Sequence, residues 1–296
     1  MLTLQAGESS LVLAPEIGGT IVGWRFGAIP LLRPPAPDAI IRHDAGGMAC
    51  FPLVPFSNRI ADGRFRWAGR DYALNRNHGD RPHTIHGVGW QTAWEVAAVS
   101  ATSAVLTLTH AATSAQAKSW PFAFDAEQRF SLTQEGLRVA ISMTNRHAEP
   151  APAGLGLHPY FPGAHDATLQ FTAREVWTNL AEPLPAQCIP VPPEWDHASG
   201  LHVGSAALDH CFTGWDGAAR ITWASGGPAL AIEASGLFRH LIVYTPSEQD
   251  FFCVEPVSHM TNAINRAESS AETGLRILAP GETLQGEIAL QLATPG

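Results

Sequence analysis

The sequence predicts an all-β protein built mainly from antiparallel strands with few, short helices. Apolar and polar residues alternate with a period of two at several places along the chain, as they do in half-buried strands. Glycine (27) and proline (23) are plentiful and charged residues make up only 15%, a composition typical of many short strands joined by turns. No segment shows a sustained helical period or the strand–helix alternation that builds parallel sheets.

Three segments carry the alternation. The segment GLRVAISMTN at 136–145 shows it most clearly, TLQGEIALQL at 283–292 repeats it, and SAVLTLTH at 103–110 shows it more weakly. Each is therefore predicted to be a strand. The residues that define the alternation are Leu137, Val139, Ile141 and Met143 in the first segment, Leu284, Ile288, Leu290 and Leu292 in the second, and Val105, Thr107 and Leu108 in the third.

The segment GRFRWAGRDYAL at 63–74 predicts a β-hairpin. Phe65 and Trp67 alternate before a turn at 68–69, and Tyr72 and Leu74 alternate after it.

In contrast, AEPLPAQCIPVPPEWDHASG at 181–200 contains five prolines and is predicted to be a loop, neither helix nor central strand. Ordered loops of this length often border a functional site, although a plain surface excursion is an equal alternative.

Strand patterns continue on both sides of that loop, so residues 1–296 are expected to form a single domain. A net charge of −9 argues against nucleic acid or an anionic membrane as the main partner. The first residues, MLTLQAGESS, show no signal-peptide pattern, and no apolar stretch is long enough to span a bilayer. We therefore expect a cytoplasmic protein, monomeric or homodimeric, with reduced cysteines.

Several common sites are not indicated. The chain has no GxSxG, phosphate-loop, GxGxxG or HExxH motif. His83 and His86 in HTIH have a spacing that a metal could use, but no third ligand is evident nearby, so zinc is a weak hypothesis.

Two polar stretches in apolar surroundings are candidates for a binding site. In FPLVPFSNRIADGRF, Asn58 and Arg59 follow prolines and phenylalanines, and a guanidinium there suits either a ligand oxygen or a structural ion pair. In PHTIHGVGW, Gly87 and Gly89 leave room beside His86 for a ligand or another backbone, while a capped turn histidine is the alternative.

Two further stretches carry groups suited to proton transfer. In GLGLHPYFPG, the proline that follows His158 favours an extended backbone and a fixed side-chain direction. In DFFCVEPVSHMTNAIN, Glu255 ends an apolar run, either buried with a partner or exposed at a strand end. Burial raises the pKa of a carboxyl toward the range useful for a general base. Asp209 in ALDHCF is another acid beside an apolar strand start.

Together these residues describe acids, histidines and an arginine without a metal or nucleotide motif. Such a set suits proton transfer between oxygens of a neutral, polyhydroxylated small molecule.

The chain resembles the aldose 1-epimerase (galactose mutarotase) family from near its start to its end. The matching stretches stand in the family's order: PFSNRIADGRF, YALNRNHGDRPHTIHGVGW, GLGLHPYF, LDHCFTG, VEPVSHMTNAIN and LAPGETLQGEIAL. The resemblance implies a large antiparallel β-sandwich that interconverts sugar anomers without a cofactor or metal.

The resemblance also implies roles for individual residues. His158 would be the general acid at the ring oxygen and Glu255 the general base at the anomeric hydroxyl. His86 would assist at the ring oxygen or position the sugar. Arg59 and Asp209 match residues that hold sugar hydroxyls, and Asn58 beside Arg59 is expected in the same binding set.

Two departures from the family pattern lie beside the expected sugar pocket. GVGW follows the histidine at 86 in place of paired glycines, and PYFPG follows the histidine at 158, which together indicate a divergent bacterial branch and leave the substrate open.

One alternative function is that of a sugar-phosphate epimerase, since several arginines crowd one stretch. Another is that of a non-catalytic sugar-binding module. A glycoside hydrolase is less favoured, because that chemistry usually needs two facing carboxylates and the pattern here indicates one carboxylate facing a histidine. The crowded arginines are Arg59, Arg64, Arg66, Arg70, Arg76 and Arg81.

Overall fold

The computed structural model describes residues 1–180, 183–266 and 270–293, and it is an all-β structure. Ser270–Thr273 (α1) is the one α-helix in the described part. The strands are β1 Leu2–Ala6, β2 Ser9–Ala14, β3 Thr20–Phe26, β4 Ile29–Pro30, β5 Cys50–Leu53, β6 Arg59–Ile60, β7 Arg64–Trp67, β8 Arg70–Ala73, β9 Thr84–Ile85, β10 Glu95–Val99, β11 Ser103–His110, β12 Phe124–Leu132, β13 Gly136–Asn145, β14 Ala151–Ala153, β15 Gly156–Pro162, β16 Ala167–Phe171, β17 Glu175–Asn179, β18 Pro185–Pro190, β19 Leu201–His202, β20 Asp209–Thr213, β21 Ala218–Trp223, β22 Ala229–Ala234, β23 His240–Tyr244, β24 Phe251–Val257, β25 Arg276–Leu278 and β26 Thr283–Ala293. Single 3₁₀ turns occupy Ala45–Gly47, Ala61–Gly63, Gly89–Gln91, Gln116–Lys118, Pro193–Trp195, Val203–Ser205 and Ala263–Asn265.

Two antiparallel sheets contain most of these strands. The large sheet has the order β1-β2-β3-β5-β15-β24-β23-β20-β17-β18, with β4 added beside β3. The second sheet has the order β10-β11-β12-β13-β26-β22-β21-β16-β19. Three two-stranded ladders, β14-β25, β6-β9 and β7-β8, complete the described strands. The antiparallel expectation is confirmed.

The large sheet is covered on both faces. Its inner face shares one apolar cluster with the second sheet, in which Trp24 and Phe161 of the large sheet join Phe130 and Val139 of the second. Its outer face carries a separate buried cluster covered by the loops around residues 85–90 and 260–275. The central strands therefore place alternate side chains in two different environments.

The alternation is clearest in β24. Phe252 and Val254 belong to the inner cluster, whereas Val257, on the face that Glu255 shares, belongs to the outer one. Glu255 lies within this strand rather than at its end, and it is buried. Of the two environments that the sequence allowed for Glu255, the structure has the buried one.

The predicted strands at 136–145 and 283–292 are confirmed as β13 and β26, which pair along their length. The strand at 103–110 is also confirmed, but the face expected from Val105 and Thr107 is wrong. The buried residues are Ala104, Leu106, Leu108 and His110. Leu106 and Leu108 form the apolar part of this face and Ala104 and His110 complete it, so the phase follows the two leucines.

The hairpin at 63–74 is confirmed as β7 and β8, with Phe65 opposite Tyr72 and positive φ at both turn residues, 68 and 69.

The loop expected at 181–200 is corrected in part. Pro185–Pro190 forms β18, an edge strand beside β17, and Pro193–Trp195 forms a 3₁₀ turn. An edge strand tolerates proline because one side of it needs no ladder hydrogen bonds. Residues 181 and 182 lie outside the described part.

No disulfide joins the four cysteines, all of which lie within the described residues. Cys50, Cys211 and Cys253 are buried and Cys188 is exposed. Among the described residues there is no helix of the length and apolar character that crossing a membrane requires.

Candidate active site

A cleft of about 510 Å³ lies on the outer face of the large sheet, over its central strands. Strands β5, β15, β20, β23 and β24 contribute side chains to its floor, and loops contribute its rim. Its lining residues include Arg33, Asp44, Phe51, Asn58, Arg59, His78, Arg81, His86, Trp90, His158, Tyr160, Pro183, Asp209, Tyr244, Phe251 and Glu255. All six site residues expected from the sequence are among them.

His158 and Glu255 meet at the floor of the cleft. Strands β15 and β24 are antiparallel, and their register pairs Gly156 with Val257 and Tyr160 with Cys253, which brings His158 opposite Glu255. The His158 Nε2 atom lies 3.2 Å from Glu255 Oε1, and both side chains are buried. His158 Nδ1 and Glu255 Oε2 have no hydrogen-bond partner among the described residues.

Burial controls the protonation of this pair. It raises the pKa of Glu255 well above the usual value for a carboxyl, and Asp209 adds to the rise while Arg59 opposes it. Burial likewise lowers the pKa of His158 to about 3, and Arg33 and Arg59 contribute to the lowering. Both displacements disfavour a net charge on the pair, so the arrangement favours one proton shared between carboxyl and imidazole.

Aromatic rings fix the plane of the His158 imidazole. Tyr160 stacks on it with ring centroids 4.6 Å apart and an angle of 19°, and Phe51 packs on it at 4.5 Å. The His86 ring approaches edge-on at 5.1 Å. The imidazole therefore has little freedom to rotate away from Glu255.

His86 and Asn58 hold each other by reciprocal hydrogen bonds. The Asn58 backbone N–H donates to His86 Nδ1 (3.1 Å), and the His86 backbone N–H donates to the Asn58 carbonyl (2.9 Å). Since Nδ1 accepts, the neutral imidazole carries its proton on Nε2 and can donate it to a ligand. Burial keeps the pKa of His86 well below its usual value, which maintains that neutral donor.

Both residues adopt positive φ, 55° for Asn58 and 61° for His86. Such a backbone is uncommon outside glycine, and the reciprocal bonds stabilise it. His86 is therefore a turn histidine and a cleft residue at once, so the two readings of the sequence are not exclusive.

The glycines beside His86 serve a close backbone approach. A Cβ on Gly87 would lie 2.3 Å from the Val54 carbonyl oxygen, and one on Gly89 would lie 2.4 Å from Val54 Cγ1. The Val88 and Gly89 N–H groups both donate to that carbonyl. Of the two uses expected for these glycines, contact with another backbone is the one that the structure shows.

Arg59 lies between two acceptors on one side of the cleft. Its Nη1 donates to Asn58 Oδ1 (2.9 Å), and its Nη2 lies 3.4 Å from Asp209 Oδ2. The side chains of Arg59 and Asp209 are 15% and 29% exposed, so both retain hydrogen-bonding capacity toward the cleft. Asp209 is the first residue of β20, as its position before an apolar strand indicated.

The segment after β24 holds the Asn58–Arg59 backbone in place. His259 Nε2 accepts from the Ser57 N–H (3.1 Å), and its Nδ1–H donates to the Met260 carbonyl (2.8 Å). The Asn262 N–H donates to the Arg59 carbonyl (2.9 Å). Burial lowers the pKa of His259 to about 4, so the neutral ring that these bonds require persists at neutral pH.

The cleft also contains residues that the sequence did not indicate as site residues. They are Arg33, Asp44, His78, Tyr244 and Phe251. Tyr160 lies two residues after His158 on β15 and on the same face of that strand, so its contact with His158 is local. Arg33 lies in the segment PLLRPP, outside all of the stretches that match the family pattern.

The crowded arginines separate in space. Arg59 and Arg81 line the cleft. Arg66 pairs with Asp71 on the exposed hairpin, and Arg70 pairs with Glu149. Arg64 is also exposed, on the outward face of the hairpin. The Arg81 backbone N–H donates to the His78 carbonyl, while its guanidinium makes no hydrogen bond or ion pair to any residue within the described ranges.

The HTIH histidines do not converge on one point. His83 Nδ1 accepts from the Asp62 N–H and His86 Nδ1 from the Asn58 N–H, so each uses a ring nitrogen for backbone support. Among the described residues, three potential ligand atoms lie within 4.8 Å of one another in a different group, His158, Cys253 and Glu255. Within this group His158 Nε2 and Glu255 Oε1 face each other at 3.2 Å, which is hydrogen-bonding distance.

The arrangement can exchange protons with a small, hydroxyl-rich molecule. A buried acid–base pair lies at the floor, a neutral imidazole donor stands beside it, and an arginine–carboxylate pair stands at the side. These are the groups that general acid–base catalysis on a polyol uses.

Comparisons with known proteins identify a family. The family model for aldose 1-epimerase matches residues 1–291 of the chain. YphB of Escherichia coli K12, a protein of uncharacterised activity, is 33% identical over 298 residues, which is 98% of each chain.

Solved structures agree as well. A putative aldose 1-epimerase from Escherichia coli K12 has a TM-score of 0.88 and 32% identity, with 98% of each chain covered. A galactose mutarotase-like protein from Clostridium acetobutylicum has the same TM-score at 20% identity, covering 98% of this chain and 94% of its own, and so shows the shared fold.

Proposed function

Because the chain belongs to the aldose 1-epimerase family, we propose that it is an isomerase that interconverts the α and β anomers of a free aldose. The observation that supports this most directly is the His158–Glu255 pair, buried at the floor of a cleft whose side carries Arg59 and Asp209. One such pair can move two protons on one sugar, and no cofactor is needed.

The chemistry follows from the hemiacetal. Removal of the proton from the C1 hydroxyl and protonation of the ring oxygen break the C1–O5 bond and give an open-chain aldehyde. Rotation about C1–C2 and reclosure on the other face invert only the anomeric centre. The acid and base exchange roles on reclosure, so the enzyme returns to its starting protonation state.

In this proposal Glu255 is the base at the anomeric hydroxyl and His158 is the acid at the ring oxygen. The arriving hydroxyl donates a hydrogen bond to the carboxylate and favours its ionised form. The proton that Glu255 held then resides on His158, 3.2 Å away, as an imidazolium next to the ring oxygen. Burial makes that imidazolium a strong acid, which suits a weakly basic ether oxygen.

The remaining site residues bind and orient the sugar. Arg59 donates and Asp209 accepts, so together they suit a pair of adjacent sugar hydroxyls. Asn58 orients the Arg59 guanidinium through its side-chain oxygen. His86 Nε2–H donates to the ring oxygen or a neighbouring hydroxyl.

Polarimetry tests this proposal. Freshly dissolved α-anomers of a panel of aldoses are followed with and without enzyme, and acceleration of at least one well above the buffer rate is expected. A purified, folded enzyme that accelerates none of a broad panel contradicts the proposal.

The sugar-phosphate alternative rests on Arg81, the cleft arginine whose guanidinium contacts no partner in the described part of the chain. Turnover of glucose and of glucose 6-phosphate by the wild type and by Arg81→Met separates the two. A preference for the phosphate that Arg81→Met removes favours the alternative, and equal rates favour a free aldose.

A non-catalytic sugar-binding module is the other alternative. Binding of a sugar in calorimetry without any acceleration of its mutarotation would favour it. The buried acid–base pair argues against it, because binding alone does not require a carboxyl and an imidazole in contact away from solvent.

A further inference from the structure

Arg33 is fixed beside the cleft by several independent contacts. Its backbone N–H donates to the Tyr160 carbonyl (2.8 Å), two residues after His158 on β15. Its Nη2 donates to the carbonyls of Met48 (2.9 Å) and Gly46 (3.2 Å). The guanidinium is therefore held at a defined position and pairs with no carboxylate among the described residues.

The guanidinium also stacks between two aromatic rings. Its Cζ lies 3.8 Å from the Tyr160 ring centroid and 4.5 Å from that of Phe251. His158 stacks on the same Tyr160 ring at 4.6 Å. Two groups this close to one ring centre cannot share a face, so Arg33 and His158 lie on opposite faces of Tyr160.

The contacts thus form a column that runs from Arg33 through Tyr160 to His158. We propose that Arg33 is a positioning residue for the reaction: through this column it orients the His158 ring and makes its imidazolium a stronger proton donor. This inference rests on the proposed function for its catalytic meaning, but its electrostatic part does not.

Other charged or titratable groups also face His158. Glu255 and Cys253 do so from β24, and Cys50 from β5. His86 approaches from the loop before the Gly89–Gln91 turn, and Arg59 acts from β6.

Most of these groups carry no positive charge, unlike Arg33. The thiols of Cys50 and Cys253 are neutral, because burial raises the pKa of each well above its usual value. Tyr160 is neutral for the same reason, and Asp209 acts on Glu255 from β20. Arg33 and Arg59 are the two cations that act on His158 within the described residues, and Arg59 is already paired with Asp209.

The expected size of the effect follows from distance. Because Arg33 and His158 lie on opposite faces of Tyr160, the two stacking separations add, and the Arg33 charge lies roughly 8 Å from the imidazole. At that distance a unit charge in a partly buried site changes a pKa by about one unit. Removal of a positive charge stabilises the imidazolium and raises the pKa of His158. Because the effect is electrostatic, a lysine at position 33 should preserve most of it.

The experiment compares Arg33→Met and Arg33→Lys with the wild type by NMR of ¹⁵N-histidine-labelled protein, with Arg66→Met on the distant hairpin as the control. The His158 signal is identified by its loss in His158→Gln, and circular dichroism defines the pH range in which each variant is folded. We expect Arg33→Met to raise the pH of His158 titration by about one unit. Arg33→Lys and Arg66→Met should differ little from the wild type.

The kinetic measurement is the acid limb of kcat/KM for the best aldose. It should move to higher pH by the same amount in Arg33→Met, and kcat at neutral pH should fall by about three- to tenfold. A rise in KM alone, with the acid limb unmoved, would mean that Arg33 only contacts substrate and would overturn the inference. An unchanged NMR titration, or equal shifts in Arg33→Met and Arg33→Lys, would also overturn it.

Two features keep the test decisive. If Arg33→Met does not fold, Arg33→Gln takes its place, since an amide can still donate to one of the two carbonyls. If no aldose is turned over but the His158 titration shifts as expected, the proposed function fails while the Arg33–His158 coupling stands.

Discussion

His158 on β15 and Glu255 on β24 lie opposite each other in the large sheet, with Nε2 and Oε1 3.2 Å apart. Because they occupy facing positions on neighbouring strands, sheet geometry and not a flexible loop sets their separation. His158 pairs with Phe51 of β5 and Glu255 with Ile242 of β23, and the inner apolar cluster lies behind them. The site is therefore organised before a substrate arrives, which lowers the reorganisation needed during proton transfer.

Loss of either member of this pair should abolish most activity without unfolding the protein. Glu255→Gln and His158→Gln each remove one proton-transfer group, which typically contributes about 10²–10⁴-fold. Mutarotation measured by polarimetry should fall by that order. Because Glu255→Gln also removes a buried ionisable group, its melting temperature should equal or exceed that of the wild type. Full activity in either folded variant would contradict the assigned roles.

Activity should persist far into the acid range. The acid limb of kcat/KM requires a second proton on the pair, and burial lowers the pKa of His158 to about 3, so the limb lies near that pH and not near 6.5. On the alkaline side activity declines as the shared proton leaves, above the usual pKa of a carboxyl because that of Glu255 is raised. A pH–rate profile with an acid limb near 6.5 would argue for an imidazole in water.

The Arg59–Asp209 pair should affect binding more than chemistry. Asp209→Asn and Arg59→Lys both weaken the contact at 3.4 Å and alter the set of donors and acceptors offered to sugar hydroxyls. We expect KM to rise by about tenfold in each variant, with a smaller change in kcat. The matched control is the exposed pair Arg66–Asp71, where Asp71→Asn should change neither constant.

His259 should make stability depend on pH. Burial lowers its pKa to about 4 in the folded protein, whereas an unfolded histidine titrates near 6.5. The unfolded state thus binds the extra proton first, and stability falls by about 1.4 kcal/mol per pH unit between those values, with no further loss from this group below pH 4. His259→Gln should therefore show a shallower decline in denaturant unfolding between pH 6.5 and 4 than the wild type.

Its control is His43→Asn, a change at an exposed position. That variant should follow the wild-type pH dependence. Equal slopes for the wild type and His259→Gln would show that the His259 ring does not stay neutral in the folded state.

Gly87→Ala should damage both stability and activity. Gly87 has a φ of 71°, and its added methyl group would lie 2.3 Å from the Val54 carbonyl oxygen, so the turn that carries His86 must move. Gly79→Ala is the matched control, because its φ is also positive (55°) but no atom lies within 4 Å of the added Cβ. Chemical unfolding should show about 1 kcal/mol of loss for the control and clearly more for Gly87→Ala. Equal losses would indicate that backbone strain alone matters.

The sequence predicted the elements whose information is local. Alternation identified β13 and β26, turn residues identified the β7–β8 hairpin, and the proline after His158 indicated an extended strand. The predicted phase of β11 followed Val105 and Thr107, whereas Leu106 and Leu108, together with Ala104 and His110, face the core. β-Branched residues favour strands on either face, so they do not indicate which face is buried.

The site shows the same division. His158, Glu255, His86 and Arg59 were identified through short motifs and a family resemblance, and the structure brings them into one cleft. Arg33 was not identified, because its relation to the site depends on the pairing of distant segments. Strand order and contacts between distant segments are properties of the tertiary structure and leave no local trace in a single sequence.

The two-sided burial of the large sheet has a consequence for the evolution of substrate range. A floor residue such as Glu255 alternates along one strand with core residues such as Val254, so backbone shifts that reshape the floor also disturb the packing behind it. Positions such as His78, Arg81 and Pro183 lie on loops at the rim, where a substitution does not disturb the packing behind the sheet. Laboratory selection for new sugars should accumulate changes at the rim first, leaving the catalytic floor as the slowest-changing part of the cleft.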